Sequence, residues 1–266
     1  MRWNRLESRT RRGSTIRGAA LALVLAAAAP ACGSSGGVTG PPPGEGLAVL
    51  FVGNSLTYTN DLPAVVRAIS LTAGDDPAVR VGMVAFPGFS LEDHWAQGDA
   101  LDAIDAGGWD VVVLQQGPST LPASRAHLVE WASRFEERIR AAGGRPALLS
   151  VWPVDGTEAS YDAILESYGA AAEAVNGLLI PVGEAWRAAR ARDSRLSLTM
   201  VDGFHPSLLG TVIAAYSVWH SVTGRSPIGL PAAIESEDVE RITMSSELAA
   251  LVQQAVAEAQ AAHGRL

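Results

Sequence analysis

Lysine is absent from this chain of 266 residues, and all 20 basic side chains are arginine. That bias carries no mechanistic weight. Cysteine occurs once, at Cys32, which excludes an internal disulfide. The five histidines are scattered, with no His-x-x-x-His pair and no cysteine cluster, so the spacing of a metal site is missing. No Gly-x-Gly-x-x-Gly follows the first apolar run and no Walker loop is present, which argues against a dinucleotide or nucleotide site. No cofactor is expected. The apolar run Ala19–Ala29 is shorter than the roughly 20 residues a membrane helix needs.

That run is instead read as the core of an export signal. Arg2, Arg5, Arg9, Arg11, Arg12 and Arg17 precede it, and small residues follow. Cys32 comes next, in Ala-Pro-Ala-Cys-Gly-Ser-Ser, which resembles a bacterial lipobox, where the thiol is lipidated and becomes the new N-terminus. Ordinary cleavage near Ala31 is the alternative. Residues 1–31 are thus assigned to an export signal, 32–46 to a Gly/Ser/Pro-rich tether and 47–266 to one domain. The expected location is the bacterial envelope, lipid-anchored through Cys32, or else secreted or periplasmic. Removing the signal leaves 14 basic against 27 acidic residues, a formal net charge of −13. Such a surface repels nucleic acid and anionic membranes, so neither is expected as a partner. The sequence does not specify an oligomeric state.

With 48% apolar residues, a domain of about 220 residues is within the reach of a single core. Its short apolar runs are Leu47–Val52, Ala78–Val84, Trp109–Gln115, Pro146–Val151 and Leu178–Val182. Between and after them, Leu62–Leu71, Ser124–Ala142, Ala159–Asn176, Thr211–Val222 and Ser246–Ala262 read as helices. Continuously apolar strands separated by helices indicate a parallel sheet covered on both faces. The expected fold is α/β, a three-layer α/β/α sandwich around about five parallel strands.

Chemistry is concentrated where strands end. Ser55 follows the first strand in Gly53-Asn-Ser-Leu-Thr57, on the carboxyl rim where α/β folds bind ligands. A hydroxyl needs a base to become a nucleophile. His205, in Asp202-Gly-Phe-His205, is the candidate base, and Asp202 is placed to orient its ring. Acyl transfer also needs donors for a developing oxyanion. Gly88 after the second strand and Gln115-Gln116 after the third are rim candidates; buried amides there demand hydrogen bonds. His94 either points into the cleft as a substrate contact or packs, Trp95 is assigned to packing, and Trp152 either lines a substrate pocket or is structural.

Taken together, these blocks resemble the SGNH (GDSL-like) hydrolase superfamily, including a bacterial branch of uncharacterised domains. Gly53-Asn-Ser-Leu-Thr57 is similar to its first block, with Asn54 where aspartate is usual. Gly88 corresponds to the second block and Asp202-Gly-Phe-His205 to the last. The third block departs from the pattern: Gly117-Pro-Ser-Thr120 has no asparagine. The resemblance implies a flavodoxin-like sandwich, Ser55 as nucleophile, His205 as base and Asp202 as its acid. It also implies an oxyanion hole from the Ser55 and Gly88 N–H groups, with Gln116 as the third donor and Gln115 next in line. The expected activity is ester hydrolysis through an acyl-enzyme on small acyl, notably acetyl, esters of carbohydrate. A carbohydrate-binding protein without turnover and an O-acyltransferase are the alternatives.

Overall fold

The computed structural model describes residues 41–264. The lipidation candidate Cys32 and the export segment therefore lie outside the described residues. Five strands form one parallel sheet: β1 (Ala48–Gly53), β2 (Arg80–Ala85), β3 (Val111–Leu114), β4 (Arg145–Leu149) and β5 (Leu178–Ile180), in the order β2-β1-β3-β4-β5. Every residue of β1, β3 and β5 is buried, as strands covered on both faces require.

The crossovers supply the covering layers. Helices α1 (Ser55–Tyr58) and α2 (Leu62–Thr72) link β1 to β2. Helices α3 (Leu91–Gln97) and α4 (Asp99–Asp105) link β2 to β3. Helix α5 (Pro122–Ala141) links β3 to β4, and α6 (Tyr161–Ala174) links β4 to β5. The step from β1 to β2 runs opposite to all later steps. Right-handed crossovers therefore put α2 on one face and α3 to α6 on the other. After β5 come α7 (Val182–Arg192), α8 (Leu208–Thr223) and α9 (Ser246–His263), with a short antiparallel pair, β6 (Ala233–Ile234) and β7 (Ile242–Thr243), before α9.

The fold is the expected one, and each expected strand and helix exists within a few residues of its predicted bounds. Helix α7 was not anticipated. Its apolar stripe is narrow (Val182, Ala185, Trp186 and Ala189) and lies among arginines, but Trp186 is fully buried and stacks on Trp152 at 3.8 Å. The Arg80 guanidinium binds the carbonyls of Pro42 at 2.8 Å and Gly46 at 2.9 Å, so the segment before β1 is tied to the start of β2.

Strand order reverses at β1, which leaves a crevice between the carboxyl ends of β1 and β3, where doubly wound sheets bind their ligands. The residues entering that crevice are Asn54-Ser55 and Gln115-Gln116.

Candidate active site

The chain leaves β1 at Gly53 and enters α1 within two residues. Asn54 caps that helix: it has extended backbone, and its Oδ1 accepts the Leu56 N–H at 3.1 Å. Gly53 is required here, because a Cβ would come within 2.4 Å of Thr57 Oγ1 and 2.5 Å of Gln115 Oε1. The Gly53–Asn54 peptide is held at both ends. Its carbonyl accepts the Phe86 N–H at 3.2 Å and the His94 Nε2–H at 2.7 Å, while its N–H donates to Gln115 Oε1 at 2.9 Å. The next carbonyl, that of Asn54, turns into α1 and accepts from Thr57 and Tyr58. Ser55 thus stands at the first position of a short helix with its N–H pointing out of the helix end.

A loop between α7 and α8 brings up the candidate base, His205. It is shaped by bonds from Met200 N–H to the His205 carbonyl (2.7 Å) and from Gly203 N–H to the Met200 carbonyl (3.0 Å). Asp202 Oδ1 accepts the N–H groups of Phe204 (2.9 Å) and His205 (3.0 Å), and its Oδ2 meets His205 Nδ1 at 2.6 Å. His205 Nε2 lies 2.9 Å from Ser55 Oγ. Three side chains separated by 147 residues of chain or more from nucleophile to acid and base thus form one continuous relay. The bond from the imidazole, followed by those from the loop N–H groups, holds the Asp202 carboxyl below its ordinary pKa. An ionised carboxylate is the form that can hold the ring by Nδ1, leaving Nε2 turned toward the Ser55 hydroxyl.

The loop is anchored from outside. Trp152 Nε1 donates to the Phe204 carbonyl at 2.9 Å, and Asp155 N–H donates to the Gly203 carbonyl at 2.8 Å. Asp155 also bonds Thr199 Oγ1 and Arg190.

Gly88 lies in the Phe86–Phe89 turn with φ +71°, a conformation glycine adopts without strain. Two bonds bring that turn against the nucleophile: Phe86 N–H to the Gly53 carbonyl, and Asn54 Nδ2 to the Phe89 carbonyl at 3.0 Å. Among the described residues, the N–H groups of Ser55 and Gly88 meet no acceptor.

Of the sequence-derived candidates, Gln115, His94 and Trp152 are committed to internal contacts, whereas Gln116 keeps one free donor. Gln115 has no donor left for a substrate. Its Oε1 accepts from Asn54 N and from Thr57 Oγ1 (2.8 Å), and its Nε2 donates to Asn54 Oδ1 (3.0 Å) and the Gln116 carbonyl (2.8 Å). Gln116 is also nearly buried, with Oε1 accepting the Leu91 N–H (3.2 Å) and Nε2 donating to Ser119 Oγ (3.2 Å), so one amide hydrogen remains uncommitted. His94 is wholly buried and is no substrate contact. Burial pushes its imidazole pKa down, and its Nδ1 has no partner, as fits a neutral ring donating through Nε2. Trp152 is 1% exposed and serves as an anchor of the base loop, not as a pocket wall.

Asn60, Asp155 and Tyr168 belong to no motif that would single them out in the sequence. The Tyr168 hydroxyl donates to the Gln116 carbonyl at 2.6 Å. Their roles depend on contacts between residues far apart in the chain.

The chain shares its fold with solved structures described as SGNH hydrolases or GDSL-like lipases. A crystal structure of a DUF4886 family protein from Bacteroides uniformis superposes with a TM-score of 0.62 at 20% identity, covering 80% of this chain and 94% of that one. A protein from Slackia heliotrinireducens, provisionally described as an SGNH hydrolase, matches at a TM-score of 0.54 and 23% identity, over 67% of this chain and all of its own. A variant of an acetyl xylan esterase from Geobacillus stearothermophilus gives 0.54 at 17% identity, over 68% of this chain and 96% of that one. No protein-family model matches the sequence, and no curated protein does.

Proposed function

We propose that this protein is a serine ester hydrolase of the SGNH type. The observation that carries the reading is the Ser55–His205–Asp202 relay, with contacts of 2.9 and 2.6 Å, at the switch point of the sheet. In the reaction, Ser55 Oγ attacks the ester carbonyl as His205 Nε2 takes the hydroxyl proton. The ester C=O electrons move onto oxygen, and the N–H groups of Ser55 and Gly88, with the uncommitted Gln116 amide hydrogen, receive the oxyanion. Collapse expels the alcohol, which takes the proton from His205, and leaves an acyl-serine. Water, deprotonated by the same imidazole, then releases the acid.

Small acyl esters of carbohydrate are the proposed substrates. Support comes from the acetyl xylan esterase of the same fold and from an export signal that would place the domain among envelope and environmental polysaccharides. The proposed location is the bacterial envelope, with lipid attachment at Cys32.

The test is labelling by a fluorophosphonate probe. Wild-type protein is expected to label, and S55A and H205A are not. Labelling that survives S55A would overturn the assignment.

A further inference from the structure

We propose that Asn60 is a positioning residue that holds the base loop in register with the nucleophile helix. The proposal rests on the Ser55–His205 reading above and adds a residue that does not touch the reacting atoms.

The first observation is conformational. Asn60 (φ +58°) and Asp61 (φ +50°) are consecutive non-glycine residues in the left-handed region, immediately beyond the helix that carries Ser55. Such positions persist where the surroundings over-determine them, and they cluster at functional sites. Asp61 has a local reason, since it caps α2 through the Ala64 N–H. Asn60 has no comparable role in its own segment.

Its side chain reaches across the fold instead. Asn60 Nδ2 donates to the Pro206 carbonyl at 2.9 Å and to Thr211 Oγ1 at 3.0 Å. Pro206 directly follows the base, and Thr211 lies in the first turns of α8. Both partners can only accept here. The carbonyl has no proton, and the Thr211 hydroxyl spends its own on the Ser207 carbonyl at 3.1 Å. Both amide hydrogens are therefore committed, and the amide has one possible orientation. One side chain thus joins the end of α1, the residue after His205, and the helix beyond the loop. Without it, the Pro206 carbonyl keeps no tie to the nucleophile side, and the 2.9 Å contact between Ser55 Oγ and His205 Nε2 rests on the loop's bonds to Trp152 and Asp155, which fasten it to the segment after β4 and not to the one that carries Ser55.

Two substitutions separate this role from general stability. N60G keeps the left-handed backbone without strain and deletes the donors. N60D keeps the shape but turns a carboxylate oxygen toward the Pro206 carbonyl. For N60G we expect an unfolding temperature and a KM for p-nitrophenyl acetate close to wild type, with kcat lower by about 10- to 100-fold, the scale of an ångström of misplacement. For N60D the kcat ratio to wild type should be low at pH 8 and climb as the pH falls toward the carboxyl range, because a protonated carboxyl regains one donor. A crystal structure of N60G should show Ser55 and His205 beyond hydrogen-bond distance. That structure reads the geometry whether or not the wild type turns over p-nitrophenyl acetate or labels. An inert wild type would sink the proposed function alone, whereas an N60G structure with the 2.9 Å contact intact, or N60G kcat within twofold of wild type, would overturn the role of Asn60.

Discussion

Gln115 offers the sharpest test of how the nucleophile turn is held. Its amide makes four hydrogen bonds, two as acceptor from Asn54 N–H and Thr57 Oγ1 and two as donor to Asn54 Oδ1 and the Gln116 carbonyl. In Q115L the two acceptors are not stranded, because Asn54 Oδ1 keeps the Leu56 N–H and the Gln116 carbonyl keeps the Tyr168 hydroxyl. The two donors lose their only acceptor, and Asn54 and Thr57 are 6% and 1% exposed. An orphaned buried donor costs about 1–3 kcal/mol, so Q115L should destabilise the domain by about 2–6 kcal/mol. Each kcal/mol lowers the melting temperature of a domain this size by about 2–4 °C.

Urea unfolding measures the loss, and the rate of fluorophosphonate labelling reports the turn itself. Labelling should slow, because the Gly53–Asn54 peptide that precedes the Ser55 N–H has lost one of its anchors. Adding T57V to Q115L removes one stranded donor, so the double variant should be less destabilised than the two single losses summed, by a coupling of about 0.5–3 kcal/mol. A Q115L loss below about 1 kcal/mol, or strictly additive losses, would refute the reasoning, since it would mean that the amide is not the acceptor those donors depend on.

Asp202 and His94 give two further expectations. D202N keeps an Oδ1 acceptor for the loop N–H groups but faces an amide N–H toward His205 Nδ1, which drives the imidazole proton to Nε2, where it blocks acceptance from Ser55. We expect kcat to fall by about 10⁴-fold with the melting temperature nearly unchanged, and a drop under tenfold would rule out the orienting role. For His94, burial depresses the folded-state pKa, so the folded state prefers the neutral ring. The unfolded imidazole binds a proton near pH 6.5. The His94 contribution is therefore fully present above that pH and is lost as the pH falls from there toward the lower folded value. Urea unfolding at pH 7.5 and pH 5.5 should show a loss of stability on acidification that is smaller in H94Q, and an equal loss in both proteins would contradict the assignment.

The sheet was legible because its strands are short, continuously apolar and separated by helical periods, a pattern that leaves few alternatives. The relay residues were legible because Ser55 and Asp202–His205 belong to compact local motifs. Polar side chains at buried strand ends proved harder to read. Gln115, Gln116 and His94 each had the chemistry to face a substrate, and only the three-dimensional partners show where their hydrogen bonds go. Gln115 and Asn54 meet across 61 residues, His94 and Gly53 across 41. Trp152 was ambiguous for the same reason: an indole on the rim lines a pocket or supports it, and the choice depends on Trp186, in a helix whose apolar stripe is thin.

The asparagine at position 54, where the resembling superfamily usually has aspartate, becomes intelligible in this setting. Its Oδ1 accepts from both Leu56 N–H and Gln115 Nε2, which an aspartate would do equally well. Its Nδ2 donates to the Phe89 carbonyl, which an aspartate cannot do. A carboxylate there would set a second oxygen against that carbonyl and push the Phe86–Phe89 turn away from Ser55. That turn carries Gly88, whose unpaired N–H is the proposed partner of the Ser55 N–H in the oxyanion hole. Asn54 and Gln115 are thus complementary: the glutamine fixes the turn before Ser55, and the asparagine fastens the Phe86–Phe89 turn to it. In the proposed reaction, two donors on separate loops would then meet the carbonyl already oriented, so the proposed hole would not need to reorganise as charge develops.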